Sequence, residues 1–205
     1  MTISNGYATL AEFQIYMTSR GGAPGTDSSD DSVIEDIIES TSRLIDQVTN
    51  RRFYTTSDDE TRYYTPECSS VLFIDDLSAA PTSLKTDTTY DRSYATTVGS
   101  SDLDYQPFNA LQKGSTYTWV EIAPHSSAYF PEATKSVQIV GKFGFASVPD
   151  DIKGVCLATA LNMYQSRTGQ SSQGNITVTA AGVVIRPQDI PAWGMKVLNK
   201  YKRII

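Results

Sequence analysis

The sequence predicts an α+β protein: a small bundle of about four helices with a β-rich insertion between the second and third. Three observations predict it. Residues 33–48 repeat apolar side chains at helical spacing. Residues 59–146 break into short β-prone runs punctuated by Thr, Ser, Pro and Gly. Residues 152–164 are apolar around nearly the whole circumference of a helix. The expected organisation is a first helical part at 1–58, the β-rich insertion at 59–146, and a second helical part at 147–205.

Thr9 and Glu12 form a capping box, each able to satisfy an orphan amide at a helix start. Leu10, Phe13 and Met17 follow at helical spacing, and Gly21-Gly22 ends this short helix. Residues 23–31, rich in Pro, Gly, Ser and Asp, read as a loop. Ser32 and Glu35 make a second capping box opening the clearest helix, with Val33, Ile34, Ile37, Ile38, Thr41, Leu44, Ile45 and Val48 on one stripe. Arg51 and Arg52 lie where its dipole favours cations. In the insertion, Arg62–Tyr64, Val71–Asp75, Tyr94–Val98, Tyr117–Ile122 and Ser136–Val140 are the expected strands. Gly141 and Gly144 mark a strand end with a tight exit.

Pro149 and Asp150 open the apolar helix, with Asp150 as N-cap, and Thr168-Gly169 stops it. Residues Ile152, Val155, Leu157, Leu161 and Tyr164 must be covered, by the core or by another subunit. Gln170–Asn175 reads as a mobile stretch and Ile176–Arg186 as a strand pair or ordered arm. Pro191 starts a last helix with Trp193, Val197, Tyr201 and Ile204 on one face, which Leu198 and Ile205 widen. Its charges, Lys196, Lys200, Lys202 and Arg203, are all basic.

The composition narrows the chemistry. No run approaches the ~18 apolar residues of a membrane span, and Met1–Phe13 lacks the pattern of a secretory signal. The expectation is a soluble protein assembled in a cytoplasm. Two separated cysteines, Cys68 and Cys156, argue against a disulfide scaffold or structural zinc, and Cys156 reads as a buried thiol. His125 is the single histidine, so any Ser-His-Asp or Cys-His arrangement must use it. The stretch Gly169–Gly174 has the wrong spacing for a nucleophile elbow. Gly141-Lys142 lacks the hydroxyl residue and earlier glycine of a P-loop. Asp27, Asp30 and Asp31 lack the layout of a calcium loop. No catalytic, metal or cofactor residues are assigned.

Net charge is −6 and unevenly spread. Residues 1–60 hold 11 acids and 4 bases, whereas 149–205 hold 3 acids and 7 bases. Overall acidity argues against a protein that grips DNA phosphates.

The ordered set of elements resembles one family. A short helix with Leu10, Glu12 and Phe13 precedes a long helix ending in Arg51-Arg52-Phe53. The β insertion carries Arg62-Tyr63-Tyr64, Leu72-Phe73-Ile74-Asp75 and Asp102-Leu103-Asp104-Tyr105. It leaves through Val137–Phe145, with Gly141-Lys142-Phe143-Gly144-Phe145, into Val148-Pro149-Asp150-Asp151-Ile152. The chain ends with a helix carrying Tyr201-Lys202-Arg203. This resembles the head–tail connector (adaptor) proteins of tailed bacteriophages, in the subgroup with a β insertion.

The resemblance implies a non-enzymatic virion protein of the neck, assembled in the host cytoplasm. It implies a homo-oligomeric ring of about a dozen copies between the portal protein and a tail-side stopper or tail-completion protein. Double-stranded DNA would pass through the lumen without sequence-specific binding. Trp193, Val197, Lys200, Tyr201, Lys202, Arg203 and Ile204 are the residues expected to meet the portal. Two other classes stay open: a carbohydrate- or receptor-binding β module of a phage or bacterial surface protein, and a small hydrolase using dispersed carboxylates.

Overall fold

The computed structural model describes residues 3–22, 28–168, 177–178, 184–185 and 190–203. The chain is α+β, with four helices among those residues and a strand-rich region between the second and third. It divides into a helical unit, Met1–Arg51 with Val148–Ile205, and a β unit, Arg52–Ser147. Residues 52–58, expected with the first helices, cluster with the strands instead.

In the helical unit, α1 (Leu10–Ser19) starts on the expected capping box. The Thr9 amide donates to Glu12 Oε2 at 2.8 Å, and the Glu12 amide donates to Thr9 Oγ1 at 3.2 Å. The same Glu12 accepts from Lys153 Nζ of α3 at 2.8 Å. That bond and the Thr9 amide hold the Glu12 carboxyl below the usual range. Gly21, at φ +80°, ends α1 in a left-handed turn. The Gly21 amide donates to Thr18 and the Gly22 amide to Met17, the two bonds of a Schellman cap.

Helix α2 (Ser28–Thr49) starts four residues before the expected Ser32 cap. Asp30 and Asp31 occupy its first turn, where carboxylates complement the helix dipole. Asp31 is also tied to α1, accepting from Gln14 Nε2 at 3.0 Å. The buried face carries Ile34, Ile37, Ile38, Thr41, Ser42, Ile45 and Thr49, while Val33, Leu44 and Val48 are half-buried. Ser42 is enclosed because it is satisfied. It donates to the Ile38 carbonyl at 2.7 Å and accepts from the Tyr7 amide at 2.9 Å. Asn50 follows the helix at φ +51°, a left-handed position that Asn tolerates well.

Helix α3 (Asp150–Thr168) is the middle of this unit and packs against α1, α2 and α4. Asp150 is its first helical residue rather than its cap, and the Lys153 amide bonds the Pro149 carbonyl at 2.9 Å. Ile152, Val155, Leu157, Leu161 and Tyr164 are all buried. Phe13 meets Tyr164 edge-on at 6.0 Å. Burial pushes the Cys156 thiol up to about 11. A short antiparallel pair follows, β8 (Thr177–Val178) with β9 (Val184–Ile185), inside the stretch expected to be a strand pair or arm. The expected mobile stretch, Gln170–Asn175, lies outside the described residues.

Helix α4 (Ala192–Tyr201) packs on α2 and α3. Its buried side is Gly194 and Leu198, at the Leu198 edge of the expected face, while Trp193 is 47% exposed. A Cβ on Gly194 would come within 3.2 Å of Val155, so the glycine lets α4 approach α3 closely. The chain then turns back onto α2. The Arg203 amide donates to the Thr49 carbonyl at 2.8 Å, and Asn50 Nδ2 donates to the Arg203 carbonyl at 3.3 Å. Thr49 thus gains a partner for a carbonyl that a helix end leaves open.

The β unit contains two antiparallel sheets. One orders β1 (Glu60–Tyr64), β7 (Val137–Gly141), β3 (Ser83–Thr86) and β4 (Thr96–Val98). The other orders β2 (Val71–Leu77), β6 (Tyr117–Ile122) and β5 (Leu103–Gln106). Ile139 sits opposite both Arg62 and Leu84, and Val120 opposite both Leu72 and Tyr105. Inward residues of both sheets form one core with Phe130 and Phe143. The expected run Tyr94–Val98 is strand only from Thr96. Tyr94 has φ +49°, off the strand conformation, and its hydroxyl donates to the Lys135 carbonyl at 2.8 Å.

The segments that enter and leave the β unit run side by side. Arg52 Nη2 donates to the Phe143 carbonyl at 2.6 Å, and Phe53 stacks on Phe145 at 4.9 Å. Gly144 has φ +101°, and a Cβ there would lie 1.9 Å from the Tyr54 carbonyl oxygen. Both the backbone angle and the space demand glycine. Gly144→Ala is therefore expected to destabilise the protein by about 2–4 kcal/mol. Urea denaturation followed by fluorescence reads this, and an unchanged midpoint would contradict the packing.

The fold of α4 yields a second expectation. Leu198→Asp buries an unpaired carboxylate and should cost about 3–5 kcal/mol, lowering the melting temperature by many degrees. Trp193→Ala should leave it nearly unchanged. Equal melting losses in the two variants would mean that Trp193 is as much part of the core as Leu198.

Candidate functional site

The residues expected to meet a partner fall into two groups on α4. Trp193, Lys200 and Lys202 are exposed, and Val197, Tyr201 and Arg203 are half-buried. Ile204 lies outside the described residues. The Tyr201 hydroxyl is engaged within the fold, at 3.0 and 3.1 Å from the two carboxylate oxygens of Asp151. Burial and that carboxylate push its pKa up to about 12. With Lys196 also exposed, α4 presents an aromatic side chain and two lysines outward, Lys202 follows it, and no acid lies between residues 190 and 203.

Helix α1 offers a second exposed surface. Ile15 is 71% exposed. It shares a shallow, mainly apolar cleft of about 520 Å³ with Ala11, Gln14, Thr18 and Ser19. A second cleft of about 510 Å³ also borders Ala11 and Gln14 and reaches Glu35 of α2. The stripe of Leu10, Phe13 and Met17 contained the signal for this surface. Ile15 lies two residues past Phe13, about 200° round the helix, so an apolar residue there cannot share their face.

In the β unit, His125 is exposed and borders a hydroxyl-rich cleft of about 420 Å³ with Thr86, Thr97, Asp102, Ser126 and Tyr129 among its walls. Ser126 Oγ accepts from the Ala128 amide at 3.0 Å, so it shapes its own loop. No nucleophile–base hydrogen bond links these side chains.

A charged network lies on β1 and β2. Glu60 pairs with Arg52 at 2.5 Å and with Arg62 at 2.8 Å, and Arg62 also pairs with Asp75 at 2.8 Å. The Arg62 guanidinium stands 4.2 Å over the Phe143 ring. The Tyr64 hydroxyl donates to Asp75 at 3.1 Å, and burial raises its pKa strongly. Alternating charges that neutralise one another along a strand edge serve structure. Among the described residues, no group of three or more His, Cys, Asp or Glu could hold a metal ion. No helix among them is long and apolar enough to cross a membrane.

No family model matches the chain, and no curated protein matches it in sequence. Among solved structures it is similar to a chain from the neck of an empty GTA (gene transfer agent) particle, computed with C6 symmetry. The match has a TM-score of 0.56 at 12% sequence identity. It covers 100% of this chain and 94% of that one, so the likeness takes in the helical elements and the β insertion together.

Proposed function

We propose that the protein is a structural component of a phage-like neck: a head–tail connector that forms a ring between the portal and the tail-proximal neck proteins. The observation that carries this is the whole-chain likeness in fold to a particle-neck protein. A likeness confined to one unit would support only a shared module. Here the likeness covers the full length of this chain, the β unit between α2 and α3 included.

Three physical features agree with the reading. A ring of twelve copies contains a sixfold axis, which agrees with the C6 symmetry used to compute the neck that holds the neighbour. A net charge of −6 suits a wall past which DNA slides, because phosphates are repelled rather than gripped. The lysines concentrated on α4 suit docking to an acidic partner. Because Tyr201 is held by Asp151, we assign the portal contact to the exposed end of α4, with Lys200 and Lys202 as its charges. In this reading the protein carries out no reaction, needs no cofactor, and resides in the virion neck after assembly in the host cytoplasm.

Purified protein mixed with the portal of the same particle should co-sediment with it. The double variant Lys200→Glu/Lys202→Glu should keep the wild-type melting temperature and lose binding by about tenfold or more. Wild-type protein that leaves the portal in the pellet alone would overturn the connector reading. Full binding by the double variant would move the docking surface off α4.

A further inference from the structure

In the helical unit, two large apolar side chains stand exposed among the described residues: Ile15 on α1 and Trp193 on α4. Their surroundings have opposite charge. Beside the Ile15 cleft lie Asp31, bonded to Gln14, and Glu35, which borders the adjoining cleft. Trp193 is followed at i+3 and i+7 by Lys196 and Lys200, both exposed and on its own side of the helix. One patch is a shallow apolar cleft with Asp31 and Glu35 of α2 near one side of it. The other is an aromatic knob rimmed by lysines.

We propose that these two patches are the halves of one contact between copies of this chain. Trp193 of one copy seats in the Ile15 cleft of the next, with Lys196 facing Asp31 and Glu35. The inference rests on the ring reading above and names the surface that builds the ring. A tryptophan entering an apolar hollow supplies the kind of central anchor that dominates interfaces. The flanking charges fix its orientation and disfavour the like-with-like pairings, knob to knob and hollow to hollow. The patches lie on different helices of the same chain, so the contact is heterologous. Each copy uses its α4 patch on one neighbour and its α1 patch on the other, which propagates into a ring or a filament rather than stopping at a dimer. The portal-facing lysines lie towards the end of α4 and the knob at its start, so one short helix serves both partners.

Cross-linking of the full chain tests this. Cys68 is exposed and Cys156 buried, so Cys68→Ser gives a quiet background. Thr18→Cys, in the wall of the hollow, and Ala192→Cys, beside the knob, place thiols at the contact while leaving Ile15, Trp193 and the lysines in place. With a short bis-maleimide, the double-cysteine protein should give a ladder of trimers and higher species on a denaturing gel, and each single-cysteine protein should give none. Adding Trp193→Ala or Lys196→Glu should reduce the ladder by about tenfold or more. A double-cysteine protein without a ladder overturns the contact. Dimers from either single-cysteine protein overturn it in favour of a symmetric pairing. Wild-type rings seen by electron microscopy alongside a missing ladder would remove this contact and leave the connector reading standing. Wild type that forms no ring and does not bind the portal removes the connector reading itself.

Discussion

The β unit can be inserted into the chain between two helices because its incoming and outgoing segments are locked side by side. Arg52 bonds the carbonyl of Phe143, Phe53 stacks on Phe145, and Gly144 lies against the Tyr54 carbonyl at a distance no Cβ could occupy. Closing a long insertion costs only slowly growing entropy, but it requires its two ends to be fixed close together. These few residues do that. The Arg62–Asp75 pair and the Phe143 ring extend the same fastening into the sheets, and the Gly144 amide bonds the Asp76 carbonyl at 2.7 Å.

The helical unit solves a different problem. Its sequence is split by the insertion, and α3, buried on most sides, gathers the parts. The segment before α1 is tied to α2 by the Tyr7 amide on Ser42 and by Arg43 Nη2 on the Asn5 carbonyl at 2.8 Å. The segment after α4 is tied to α2 by Arg203 on Thr49. Helix α4 therefore belongs to the fold through Gly194 and Leu198 while offering Trp193 and its lysines outward. A rigidly placed surface loses little entropy on binding, which suits the docking role proposed for it.

Much of this was legible in the sequence where periodicity and capping agree. The Thr9–Glu12 box, the Gly21 stop, the α2 stripe and the enclosed α3 all follow local rules. Strands β2, β6 and β7 announce themselves through apolar alternation. Strand β3 does not, because Ser83-Leu84-Lys85-Thr86 has one apolar residue and its inward Thr86 is polar. The start of α2 at Ser28 was masked by a composition that reads as loop, although Asp30 and Asp31 are also good first-turn residues. Gly144 was visible as a marker, but the reason for it, contact with Tyr54 far away in sequence, needs the fold. The apolar face of α4 included both Trp193 and Leu198, and only packing against Val155 decides that Leu198 is the buried one. The surface of α1 was missed although Ile15 departs from its helix's own stripe.

In the proposed reading the helical unit carries the assembly surfaces, and the β unit is a fastened insertion. The most direct test of that reading is electron cryomicroscopy of the neck in intact particles that contain this chain. The account predicts density for this fold repeated as a closed ring around the DNA channel, between the portal and the tail. A neck reconstruction without such a ring, or the chain found as a single copy away from the channel, would contradict it.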